Sequence, residues 1–300
     1  MLRMQEYSVS QKHWGTDMSL SVVAESQALA SLAFAEAFIM IDEYEKRFSR
    51  FLPESELSQL NTKKELLVSD EFMAVLQRSK ELYLATNKSF NPLVQIARQG
   101  YQADYESLGF TEQSIVSGTY NTDFETVVID PETNRVILQT DQQLDFGGIL
   151  KGYLSEKISL HIKNEFKGCQ GNIVNLGGDL HTQGVDEAEE VFVFMIYNPV
   201  SDVDIPVALR DTSLVTSGTY RRVWKTVAGV KNHILLPDGI SNPQSDIISA
   251  SVMYSDGALA EAYAKSLLIQ GVDAIPELSK QNHFDYLLIT KTGETLTNII

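Results

Sequence analysis

"DFGGILKGYLSEKI", residues 145–158, places an acid, two adjacent glycines and a lysine at the entry to a helix. The helix is read from Leu150, Leu154, Ile158, Ile162 and Phe166, an apolar stripe at a spacing of four that must face a core. Lys151 lies off that stripe, near the helix start. That end is electropositive and lined with N–H groups, so a cation there points to something negative opposite. Two readings fit. Gly147 and Gly148 relieve a tight turn with solvated charges on its rim, or the turn holds a phosphate and a metal.

The flanking sequence sets the fold class. "MSLSVVAE" alternates as a strand, residues 26–48 form an Ala-rich amphipathic helix, and residues 70–86 form a second. "SRFLPESELSQLN" reads as a loop with a short turn at Ser55 and Leu57, and "FETVVIDPETNRVILQT" as a hairpin about "DPETN". Strands follow at "NIVNL", "EVFVFMIY" and "IISASVMY", a strand and small-residue turn at "SLVTSGTYRRVW", a strand and Pro/Gly turn at "NHILLPDGISNP", and a helix over 256–269. Strands and helices in mixed order, with no βαβ repeat, favour α+β. No linker interrupts the chain, so residues 1–300 are expected to form a single domain.

The 300 residues are 43% hydrophobic and 21% charged, the composition of a globular protein. A net charge of −16 argues against nucleic acid as a partner, although a small phosphorylated ligand needs only local positive charge. The single cysteine, Cys169, excludes a disulfide framework and a Cys-rich metal site. The N-terminus lacks an apolar signal segment or lipobox cysteine, and no run approaches the ~20 residues of a membrane span. The chain as given therefore reads as cytoplasmic, although one trimmed of a leader would look the same.

Taken together, "WGTDMSLSV", "FSRFLPESELSQLN", "SFNPLV", "DFGGILKGY" with "IVNLGGDL", and "TSGTYRR" through "HILLPDG" to "LAEAYAKSLLIQG" resemble the ApbE family of FAD:protein FMN transferases, in the family's order. The resemblance implies an α+β fold of mixed or antiparallel sheets with packed helices, T-fold-like and two-lobed. It implies FAD as substrate and Mg²⁺ as metal. The FMN portion would pass through its phosphate to a threonine hydroxyl of an acceptor protein, releasing AMP. Hydrolysis of FAD to FMN and AMP is a variant, and a diverged FAD-binding protein with little turnover is the alternative.

Carried over by position, the flavin and dinucleotide contacts are Trp14, Phe51, Ser89, Phe90, Asn91, Asp145, Lys151, Thr216, Ser217, Gly218, His233 and Ile234. Asp145, Lys151 and His233 fall at catalytic positions, and Gly148, Glu261 and Lys265 at metal-ligand positions. This chain departs from the family where Asp-Ala-Leu-Ala-Thr is replaced by Glu261-Ala-Tyr-Ala-Lys265. Glutamate can bind Mg²⁺, whereas a protonated lysine has only donors. Three readings follow: an i,i+4 ion pair, a lysine ammonium in the cation's place, or a distorted metal site. Asn91 for Asp, Leu236 for Asp and Phe51 for Tyr are further departures. Arg221 and Arg222 read as solvated, although one of them could meet a phosphate, and Asp179 reads equally as a turn cap or a ligand contact.

Overall fold

The computed structural model describes residues 3–101, 113–116, 118–227 and 229–299. Its spine is an antiparallel sheet. β1 (Gln5–His13) and β2 (Thr16–Ala24) form a hairpin, beside which lie β6 (Cys169–Leu176) and β7 (Asp179–Gly184). β10 (Ser213–Gly218), β13 (Ile247–Tyr254), β14 (Asp285–Thr290) and β15 (Thr295–Thr297) complete the order β1-β2-β6-β7-β10-β13-β14-β15. Every neighbouring pair runs antiparallel.

Alternation along these strands serves two cores. Val215, Val252 and Leu288 join the large core, while their chain neighbours Leu214, Met253, Leu287 and Ile289 join a smaller one. On the large-core side pack α1 (Gln27–Phe48), α4 (Leu150–Glu165) and α5 (Gly257–Gln270). On the other lies the hairpin of β8 (Phe192–Asn198) and β9 (Val203–Leu209), through Ile196, Val207 and Leu209. A second small sheet, β3 (Glu65–Leu67), β5 (Arg135–Ile137) and β4 (Val128–Asp130), is joined to α2 (Glu56–Lys63) and α3 (Asp70–Ala85). β11 (Val223–Thr226) pairs with β12 (Gly229–Asn232), and α6 (Ile275–Gln281) precedes β14. This is the α+β arrangement of antiparallel sheets and packed helices that the sequence led us to expect.

The helices start where the sequence marks them. Ser26, Ser69 and Asp256 cap α1, α3 and α5, each side chain accepting the N–H three residues on. Two local readings are corrected. Residues 56–63 form α2 rather than a loop: Ser55 accepts from the Ser58 N–H, and Leu57 and Leu60 are buried a turn apart. Residues 233–236 continue as irregular chain rather than a strand. The Asn242 amide there donates to the Asn232 and Ile234 carbonyls, so side-chain bonds replace a ladder.

α4 and α5 cross at two glycines. A Cβ on Gly152 would stand 2.1 Å from the Gly257 carbonyl oxygen, and one on Gly257 would stand 2.2 Å from that of Gly152. No side chain larger than hydrogen allows that approach. The crossing sets the first turn of α4 against the face of α5 that carries Glu261.

Candidate active site

A cleft of about 240 Å³ opens beside this crossing. Its walls come from the tip of the β1–β2 hairpin, the segments after α1 and α3, the glycine turn, the chain after β12, and α5. Of the residues expected at the site, Trp14, Phe51, Ser89, Phe90 and Asn91 line it. So do Asp145, Gly148, Lys151, His233, Ile234 and Lys265. Thr216, Ser217, Gly218 and Glu261 do not line it. Thr216 and Ser217 sit in β10, where the Thr216 hydroxyl meets that of Ser251 at 2.8 Å. Glu261 lies fully buried one layer behind Lys265.

One end of the cleft is aromatic. Trp14 occupies a tight turn with Gly15, at φ 52° and 67°, and its buried indole N–H has no partner. Phe51 is 47% exposed, and the Arg50 guanidinium stands 4.8 Å from its ring centre and 5.3 Å from that of Tyr101. Arg50 also donates to Asp145 at 3.0 Å and to the Tyr101 carbonyl at 3.2 Å. The other Asp145 oxygen accepts the Gly147 N–H at 2.8 Å, so this carboxylate is committed to shaping the turn.

Ser89 and Asn91 are committed in the same way. The Ser89 hydroxyl meets the Thr86 carbonyl and the Ser266 hydroxyl. The Asn91 amide donates to the Thr122 carbonyl at 2.7 Å and accepts from the Leu93 N–H at 2.9 Å. Their side chains hold the loop that presents Phe90.

The other end is charged. Lys151 is in contact with Asp179 and lies 3.8 Å from Glu261, so the negative charge facing the start of α4 belongs to the chain itself. Burial pushes Lys151 down to about 8, as do Lys265 and Arg222, while Glu261 opposes. The Asp179 carboxylate in contact adds to that opposition and favours the ammonium. Lys265 donates to Glu261 Oε1 at 2.9 Å, and Glu261 Oε2 accepts the Gly152 N–H at 2.9 Å. Glu261 is held below its ordinary range by Lys265 and Lys151 against the cost of burial. His233 Nδ1 is buried without a partner, and burial, Arg222, Lys265 and Lys151 push the ring down to about 3. It is neutral at physiological pH.

The three groups expected to hold a metal therefore meet, but as an ion pair. Both Glu261 oxygens accept hydrogen bonds from the protein. The Lys265 stem passes over Gly148, where a Cβ would stand 3.2 Å from its Cε. An ammonium has no lone pair, so this set does not fit a divalent cation. Four further residues belong to the site. Arg50 lies within a quoted segment, but only its fold places it between Phe51 and Asp145. Of the two arginines, Arg222 lines the cleft, the lesser of the two readings of its sequence context, whereas Arg221 is exposed. Asp179 meets Lys151 rather than merely capping a turn, and Tyr101 supplies a second ring beneath Arg50.

Comparison with known proteins agrees with this architecture. The model of the ApbE family matches residues 14–288. The FAD:protein FMN transferase of Klebsiella pneumoniae is 24% identical over 302 residues, covering 97% of this chain and 91% of that protein. That of Treponema pallidum is 24% identical over 292 residues, covering 90% and 80%. The crystal structure of the ApbE protein of Thermotoga maritima superposes with a TM-score of 0.84 at 18% identity, covering 98% of this chain and 97% of that one. The apo flavinyl transferase ApbE of Pseudomonas stutzeri gives 0.78 at 18% identity, covering 98% and 95%. A match across nearly the whole chain, on the fold described above, is decisive: this chain belongs to the ApbE family.

Proposed function

We propose that the chain, acting as a single domain, is an FAD:protein FMN transferase. It would bind FAD, pass the FMN portion through its phosphate to a threonine hydroxyl of an acceptor protein, and release AMP. The observation that carries this reading is the polarity of the cleft. The rings of Trp14 and Phe51 suit a flavin, and the cations Lys151, Lys265 and Arg222 in the same lining suit a diphosphate.

The reaction exchanges one oxygen on phosphorus for another, so it calls for charge neutralisation and alignment more than covalent chemistry. Lys151 and Arg222 face the charge that grows on the phosphate oxygens as the bond to AMP lengthens. Neutral His233 presents an unpartnered ring nitrogen that can accept a hydrogen bond from the incoming hydroxyl. At about 3 it is a weak base, and a bound diphosphate would raise it by adding negative charge nearby. Asp145 acts through structure, fixing Arg50 and the glycine turn.

One observation favours a second reading, a dinucleotide-binding protein with little turnover: the Glu261–Lys265 pair where the resemblance implies metal ligands. Incubation with FAD and a threonine-bearing acceptor separates the two. Release of AMP with covalent flavin on the acceptor supports the transferase. Release of AMP with free FMN identifies a pyrophosphatase, and tight binding with neither product identifies the binder. No described helix is long and apolar enough to cross a membrane.

A further inference from the structure

We propose that the charged end of the cleft is a metal-free diphosphate site, in which the Lys265 ammonium supplies the positive charge that a divalent ion would otherwise bring. The inference rests on the reading of the cleft as a dinucleotide site and deepens it.

Three observations converge. The first is position. The Lys265 stem lies against Gly148, and its ammonium is 2.9 Å from Glu261, so it stands between the backbone and the carboxylate that would have to ligate an ion. The second is saturation. Glu261 Oε1 faces Lys265 at 2.9 Å and Lys151 at 3.8 Å, and Oε2 accepts from Gly152, so a cation would have to compete with donors of the chain at both oxygens.

The third is charge balance. Lys151 and Lys265 are matched by Asp179 and Glu261, and Arg222, which also lines the cleft, leaves one positive charge in excess. Asp145, the one acid lining the cleft among the described residues, is already paired with Arg50. An excess cation invites the two negative charges of a diphosphate. A divalent ion in the same place would meet an ammonium within a few ångströms and be repelled.

The scaffold keeps the ammonium there. α4 and α5 touch through the backbones of Gly152 and Gly257, so α5 cannot slide to withdraw Lys265 without breaking the crossing. The cation is built into the helix rather than recruited from solution.

The test is titration with FAD and with riboflavin, which lacks the diphosphate. Flavin fluorescence is followed first after exhaustive EDTA treatment and then with millimolar Mg²⁺. The intact protein is expected to bind FAD as tightly with EDTA as with Mg²⁺, and much more tightly than riboflavin. Lys265→Met is expected to weaken FAD in EDTA by about 10- to 100-fold and leave riboflavin unchanged. Lys265→Thr is expected to recover FAD affinity only when Mg²⁺ is added. FAD binding by the intact protein that disappears in EDTA overturns the inference while leaving the dinucleotide reading intact. Equal affinity for FAD and riboflavin, or binding of neither, overturns both. A melting curve establishes that each variant is folded, and the intact-protein comparison decides the matter even where a variant is not.

Discussion

The two ends of the cleft are built on opposite plans. At the charged end, Lys151, Glu261 and Lys265 sit on α4 and α5 and are paired: Lys151 with Asp179, Lys265 with Glu261, and Glu261 with the Gly152 N–H. At the aromatic end, Trp14 stands on a hairpin tip, and Phe51 lies between α1 and α2, stacked on an arginine. The charged end has to be rigid because partly buried charges are costly unless each partner stays in place. Rings on loops can adjust around a flat ligand at little cost. Changes at the charged end should therefore register in folding as well as binding, and changes at the aromatic end in binding alone.

The largest effect is expected from Gly152→Ala, whose methyl group would overlap the Gly257 carbonyl oxygen at 2.1 Å. A loss of about 3 kcal/mol or more is expected from forced separation of the helices, read as a lowered midpoint of thermal or denaturant unfolding. A neutral result would show that the crossing relaxes freely.

Glu261→Gln leaves two cations without their shared carboxylate, and about 2–4 kcal/mol should be lost in the same assay. Because Glu261 is held below its ordinary value of 4.5, its contribution is present above that value and fades as pH falls through the lower folded one. The variant should therefore lose less stability than the parent between pH 4.5 and acid unfolding.

Lys151→Met is expected to reduce FAD affinity by about 1.5–3 kcal/mol and riboflavin affinity hardly at all. Equal losses for both ligands would move Lys151 out of the phosphate contacts.

Two histidines titrate downward on folding. Burial pushes His233 to about 3 and His181, hydrogen-bonded to Ser213, to about 4, from an ordinary 6.5. The unfolded chain takes up these protons first, so their contribution is complete above pH 6.5 and is lost as pH falls toward those values. Melting at stepped pH should show that decline. Saturating FAD should soften the part due to His233, which faces the cleft, and not that due to His181, which lies in the sheet.

The smallest effect is expected at the aromatic end. Phe51→Ala should cost about 1 kcal/mol of flavin affinity, similar for FAD and riboflavin, with the melting temperature unchanged. A large shift in melting would erase the contrast between the two ends.

What the sequence discloses follows the same division. The stripe from Leu150 to Ile162 is local and periodic, and it appears as α4 with those residues buried. The Lys265-to-Glu261 spacing within one helix discloses the ion pair. Asp179 is different: its meeting with Lys151 depends on the β6–β7 turn arriving beside α4, which no local spacing encodes. Nor does Gly152 announce itself, since its role depends on Gly257, far along the chain in another helix. The strand expected at 233–236 fails because Asn232 and Asn242, polar residues outside the apolar run, redirect its backbone.

α5 is buried on every side from Gly257 to Leu268 except at Lys265, where it opens onto the cleft. A helix so enclosed exchanges its amide hydrogens only when the whole domain unfolds, whereas the hairpin tip at Trp14 and the segment at Phe51 can open on their own. Ligand should accordingly slow exchange near Trp14 and Phe51 by suppressing local openings. In α5 it can act only through overall stability. Exchange measured with and without FAD would thus separate a pre-set anion seat from a closing ring clamp within one molecule.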